Sequence, residues 1–390
     1  MTVLLRDCRL PNGSITDVLL ESGRIAALGN DAPPRALTID AHQRLLTPGL
    51  TDPHLHPDKA FGLEDAAASG ANSLQEALAR VRAQKAEQTT EGILARTVRL
   101  AEWCLSFGTT RARVHAEVDT LLGLRSVRGV LQARDALKRR IHLQVVAFPQ
   151  EGIAAEPGSA ELLREAMQLG CDVVGAISYQ DADPRAHLEF AANLAAEWGA
   201  PLDVHIDFGQ PVERSALGLL AEYARRKNVR VLASHATTLA HMPAHQKSAV
   251  LEQLRAADIA LCALPRTDLF MDGCVAPLAE LHQAGLRTCI GTNNVMNAFT
   301  PVGRPSLPSV ASVYALVAKL GDRATLDTLA ESLWTAATCI GAPLPTVAAG
   351  APADLCLWPC SSPWQIVATE AVPDVVLVGG EVAYGNTTAS

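Results

Sequence analysis

Between residues 48 and 349 the apolar and polar positions change period repeatedly. Short apolar or alternating runs at 48–56, 110–118, 142–148, 172–178, 202–207, 229–234, 258–264 and 287–292 read as strands. Stretches between them, such as 73–87, 160–169, 187–198, 214–226, 244–256 and 275–284, carry helix-like periodicity. Eight strands alternating with helices is the arithmetic of an α/β fold of the (β/α)8 TIM-barrel kind. A doubly wound open sheet is the competing arrangement. No Gly-x-Gly-x-x-Gly follows an early strand, so its dinucleotide-binding version lacks a fingerprint. The two ends have a different texture. Runs at 3–5, 17–20 and 24–28, punctuated by Asn12-Gly13 and Ser22-Gly23, read as short strands with turns. Similar runs return at 353–358 and 374–382. The expectation is a small β-sandwich domain built from both termini, residues 1–47 plus 350–390, around a barrel of residues 48–349.

Composition narrows the class. A hydrophobic content of 48% in 390 residues supports a large core, and only 19% charged residues suits a packed enzyme better than a disordered scaffold. The net charge of −8 argues against a nucleic-acid or anionic-membrane surface, since both need a basic patch. No apolar span of about 20 residues is present, so no membrane helix is expected. The start of the chain carries charges at Arg6 and Asp7 and lacks the apolar core of a signal peptide. Nine cysteines are scattered singly, with no Cys-x-x-Cys pair. They read as free thiols of a reduced, cytoplasmic protein. Oligomeric state is open, with a homo-oligomer among the possibilities.

The chemistry gathers at the expected strand ends, where barrel enzymes place their active sites. The first strand ends in His54-Leu55-His56, and residues at i and i+2 share one face of a strand. Both imidazoles can therefore reach one metal ion. Further ends bring His115, Gln150, Tyr179, His205 with Asp207, His235, Arg266 with Asp268, and Asn293 with Asn294. Five of the 11 histidines fall on these ends. His54, His56 and His205 can form the three-ligand set of a catalytic site for one divalent transition metal, Zn or Fe. His115-Ala116-Glu117 imitates the His-x-Glu of zinc nucleoside deaminases. Their second half needs Pro-Cys-x-x-Cys, and Pro359-Cys360-Ser361-Ser362-Pro363 lacks the second cysteine.

Several segments together resemble the amidohydrolase superfamily, and within it the branch of cytosine deaminase-like and N-isopropylammelide amidohydrolase-like enzymes. They are Pro48-Gly49-Leu50-Thr51-Asp52-Pro53-His54-Leu55-His56-Pro57-Asp58-Lys59, Arg113-Val114-His115-Ala116-Glu117-Val118-Asp119 and Gln144-Val145-Val146-Ala147-Phe148-Pro149-Gln150-Glu151-Gly152-Ile153. Asp203-Val204-His205-Ile206-Asp207 and Ser234-His235 complete the set. The resemblance covers essentially the whole chain. It implies His54, His56 and His205 as metal ligands and His235 as the group that polarises substrate or activates water. It implies Gln150 as a reader of a cyclic amide and Lys59 as the lysine of a His-x-Asp-Lys variant. His115, Arg266, Asp268 and Phe299 join these as candidate substrate-binding residues.

Two positions depart from the pattern. The resemblance sets a glutamate after Asp207, where Phe208 stands, and a metal-binding, proton-accepting aspartate where Asn293 stands. An amide is a neutral ligand and cannot serve as a base near pH 7. Asp207 is a possible repair as base, ligand or partner of a histidine, and structural hydrogen bonding is the alternative. Asp268 is the other carboxylate in reach, with a helix cap as its alternative. The expected function is metal-dependent hydrolysis of a C–N bond, by deamination or ring opening, in a small nitrogen heterocycle or cyclic amide. The rival is a lyase, an isomerase or a silent binding paralogue on the same barrel.

Overall fold

A computed structural model describes residues 2–29, 36–64 and 71–385 of the chain. The middle of the chain supplies eight parallel strands: β1 (Leu50–Leu55), β2 (Thr109–Glu117), β3 (His142–Phe148), β4 (Val173–Ile177), β5 (Leu202–Ile206), β6 (Val231–His235), β7 (Ala260–Ala263) and β8 (Thr288–Ile290). Each pairs with its sequence neighbour, from β1 through to β8. Closure comes just past the last strand. Asn293 N–H donates to the His54 carbonyl and His56 N–H to the Asn293 carbonyl, each at 2.8 Å. Most of these strands are buried along their whole length, because helices cover the outside and side chains fill the inside. That is why they read as nearly continuous apolar runs.

The barrel interior is filled in layers. Ser234 meets His54 inside the barrel, and Leu232, two residues earlier, shares its face. Leu232, Cys262, Leu264 and Cys289 pack with Ala336, Cys339 and Ile340. Arg113 donates to the Ile340 carbonyl at 3.1 Å and to Asp203 at 2.8 Å. The end of the helix Arg323–Cys339 thus plugs the barrel floor below the histidines.

The termini form one mixed eight-stranded sheet. Leu45–Pro48 is its hinge, parallel to Val3–Arg9 on one side and antiparallel to Leu355–Trp358 on the other. Trp358 Nε1 donates to Thr47 Oγ1 at 2.8 Å across that pairing. The run expected as one strand over 48–56 is therefore two. Pro48 ends the terminal strand, and the chain turns at Gly49, where any Cβ would collide with the Thr110 side chain.

Candidate active site

The His54, His56 and His205 side chains converge in the barrel mouth. Their Nε2 atoms form a triangle with sides of 3.2, 3.1 and 3.1 Å. Imidazole nitrogens that turn their lone pairs toward one another at such distances repel, and a cation that accepts all three lone pairs removes that repulsion. A Zn–N bond of about 2.0–2.1 Å fits a triangle of this size. His54 Nδ1 pairs with Ser234 Oγ at 2.8 Å, which orients the ring with Nε2 toward the centre. Burial foremost, then neighbouring imidazoles and Lys59, push all three histidines well below their ordinary pKa. They are neutral, the form that binds metal. The donor set thus fits a divalent transition metal.

His115 also brings a ring nitrogen within 4.8 Å of those of His54 and His205. Its Nε2 is 3.1 Å from Asp203 Oδ1, however, and its ring stacks beneath His56 at 4.6 Å. It packs beneath the three converging rings and lies outside the tighter Nε2 triangle.

Above the triangle lies a narrow pocket lined by Lys59, Gln150, His235, Asn293, Asn294 and Phe299, among others. His235 faces it with a partner behind. Its Nδ1 is 2.6 Å from Asp268 Oδ1, while Asp268 Oδ2 accepts from Leu264 N–H at 2.9 Å. Burial pushes the Asp268 carboxyl up, against the pull of the His235 ring. A carboxylate on Nδ1–H leaves Nε2 with a lone pair for the pocket. Phe208 stacks on the same ring, with centroids 4.2 Å apart and planes at 22°.

Three expected site residues lie elsewhere. Asp207 does not join His205, because the strand ends at Ile206 and Asp207 is left-handed at φ 53°. Its carboxylate accepts from Ser215 Oγ at 2.5 Å, Ala216 N–H at 2.9 Å and Thr238 Oγ1 at 3.0 Å. That is the structural alternative. Arg266 is not at a strand end but in the helix Pro265–Asp272. Its guanidinium donates to the Arg304 carbonyl and to Ser309 Oγ, and it is not among the residues that line the pocket described above. Asp268 lies on the same helix and reaches the site only through His235.

Asn293 closes the barrel through its backbone, and its buried Oδ1 has no hydrogen-bond partner among the described residues. Lys59 Nζ donates to Glu117 Oε1 and to Gln150 Oε1, the latter at 2.9 Å. Glu117 Oε2 in turn meets Lys85 Nζ at 2.9 Å, and Lys85 also holds Asp119 at 2.8 Å and Glu151 at 2.6 Å. Burial opposes ionisation of Glu117, but the two ammonium groups outweigh it and hold its pKa low. The sequence reading missed this array. Its only signal was the Glu117-x-Asp119 pair at i and i+2, since a lysine ending a helix normally reads as solvated.

Residues 37–384 match the model of the amidohydrolase family. The chain is 26% identical over 283 residues to N-isopropylammelide isopropyl amidohydrolase of Pseudomonas sp. strain ADP, covering 68% of this chain and 67% of that protein. It is 25% identical over 384 residues to pterin deaminase of Rhizobium rhizogenes strain K84, covering 94% and 87%. In fold it is similar to 5-methylcytosine deaminase from Klebsiella pneumoniae, with a TM-score of 0.91, 24% identity and coverage of 99% and 98%.

Proposed function

The chain belongs to the amidohydrolase family, and from that premise we propose that it hydrolyses a C–N bond of a small cyclic nitrogen compound at the histidine triangle. The observation that carries this reading is the convergence of the three Nε2 atoms beneath a pocket that His235 also faces. A divalent metal held by His54, His56 and His205 would supply Lewis acidity and make the attacking water more acidic. The relatives named N-isopropylammelide isopropyl amidohydrolase and pterin deaminase support substrates of the nitrogen-heterocycle class.

The chain's own residues divide the remaining work. As the water oxygen bonds to the ring carbon, His235 Nε2 takes the water proton, and Asp268 stabilises the imidazolium that results. The same proton then passes to the nitrogen that leaves, as the C–N bond breaks, and in a deamination the remaining hydroxyl proton moves to the adjacent ring nitrogen as the carbonyl forms. Products are a ring carbonyl and an amine, ammonia, or an opened ring. Lys59, Gln150 and Phe299 hold the ring. Asn293 contributes a neutral carbonyl oxygen beside the ligands in place of a charge.

Metal analysis of the purified protein tests the first half. About one equivalent of zinc or iron is expected, and less than about a tenth of an equivalent after growth in metal-replete medium would refute the site. Ammonia or amine release from a panel of amino-heterocycles and cyclic amides tests the second half. A metal-loaded protein inert across that panel would favour the lyase, isomerase or binding reading, which Phe208 and Asn293 support by removing two carboxylates.

A further inference from the structure

We propose that the pocket is selective for rings bearing at least two carbonyl oxygens, because three side chains of its lining, Lys59, Gln150 and Asn294, are locked into presenting donors. This rests on the site proposed above and specifies its ligand, whichever reaction follows.

Asn297 is fixed first. Its Oδ1 accepts from the backbone N–H of Phe299 at 3.0 Å and of Thr300 at 3.2 Å. Both partners can only donate, so the oxygen of this amide cannot be exchanged with its nitrogen. Asn297 Nδ2 must then point the other way, and it donates to Asn294 Oδ1 at 2.8 Å. This fixes Asn294 in turn. Asn294 lines the pocket, and the end of its amide left for a ligand is the Nδ2 donor.

Gln150 is fixed independently from the other side of the pocket. Its Oε1 accepts from Lys59 Nζ at 2.9 Å, and an ammonium has no acceptor. Gln150 Nε2 is therefore its free end. Lys59 spends two of its three hydrogens on Glu117 and Gln150 and keeps one. The Lys85–Glu117 contact behind it holds that arrangement from outside the pocket. Lys59, Gln150 and Asn294 thus offer three donors, and all three are at most 6% exposed.

A donor that a bound ring shields from water without pairing it costs roughly 1–3 kcal/mol. A ring that presents amino groups to these side chains sets donor against donor and leaves both unpaired. A ring that presents carbonyl oxygens satisfies them. Gln150 alone was expected to read one carbonyl; the Asn297–Asn294 chain adds a second reader and fixes its sign.

The test is calorimetric binding to metal-loaded protein with two matched pairs, uracil against 2,4-diaminopyrimidine and cyanuric acid against melamine. Each pair keeps the ring and exchanges carbonyl for amino groups. The carbonyl member of each pair is expected to bind at least tenfold tighter. Asn294→Asp replaces the donor with an acceptor and should cut that preference by about tenfold. Gln150→Glu should do the same, which covers the case in which the first variant fails to fold. Equal or tighter binding of the amino rings would overturn the proposal. So would a preference unchanged in a folded Asn294→Asp variant, or no binding of any of the four rings. Carbonyl rings that bind while no panel compound is hydrolysed would sink the hydrolase reading and leave the three donors standing.

Discussion

At the scale of single residues, the site is defined by what His235 can do that its neighbours cannot. Asn293 is an amide, Phe208 is apolar, and Asp207 is consumed by Ser215, Ala216 and Thr238. His235 alone of the proposed proton carriers faces the pocket with a carboxylate behind it. If it is the base, His235→Asn should lower kcat by about 10²-fold or more, while metal content stays near one equivalent. Asp268→Asn should lower kcat less and change the pH profile, because the Nδ1 proton loses its anionic acceptor but the ring remains. The measurement is kcat against pH, with elemental analysis on the same preparations. Normal turnover in His235→Asn would reassign the proton transfer to another group.

At the scale of elements, strand order, helix alternation and the pairing of the termini were legible in the sequence, because periodicity reports burial. The convergence of His54 and His56 was legible for a related reason, since residues at i and i+2 share a face of a strand. The rule fails where the backbone turns left-handed at or beyond a strand end. Asp207, His235 and Asn293 all have positive φ, at 53°, 72° and 64°. A left-handed residue re-aims its side chain, so alternation no longer says where it points. Arg266 and Asp268 failed differently, because Pro265 starts a helix where a longer strand was expected. The Lys85–Glu117–Lys59 array and the Asn297–Asn294 chain were not legible, as each joins segments far apart or sets a direction that composition does not carry. The loop after β3 gives an element-scale test. Gly152 has φ +90°, and an added Cβ would lie 2.5 Å from Asp181 Oδ1. That carboxylate accepts from Ile153, Ala154 and Ala155 N–H and pairs with His187 at 2.7 Å. Gly152→Ala should therefore combine backbone strain with the break-up of this anchor and destabilise by roughly 1–3 kcal/mol. Urea unfolding measures it, and a midpoint equal to the parent would show that the loop absorbs the change.

At the scale of the whole molecule, the proposed metal also acts as a cross-brace. His54 stands on β1 with His56 just past its end, and His205 stands on β5; the two strands lie four apart and so face each other across the barrel. The seam of that barrel is thin. β8 has three residues, and beyond it closure is made by the two backbone hydrogen bonds between Asn293 and the His54 and His56 backbone, by Thr292 N–H to Asp52 Oδ1 at 3.1 Å, and by Phe61 N–H to the Val295 carbonyl and Leu63 N–H to the Met296 carbonyl, each at 3.0 Å. An ion bound to all three histidines would hold β1, one side of the seam, to the opposite wall. Without an ion, three buried nitrogens face one another at 3.1–3.2 Å with nothing between them. An ion that binds only the folded chain stabilises it by about 2.7 kcal/mol when free metal is a hundredfold above its Kd. Removing the metal with a chelator should therefore lower Tm, and restoring zinc or iron should raise it again. His205→Ala should start near the chelated value and no longer respond to chelator. The comparison is made by thermal denaturation with metal content measured on each sample. Identical Tm values for loaded and stripped parent protein would mean that the three histidines hold no ion in common, and both the brace and the proposed reaction centre would fall together.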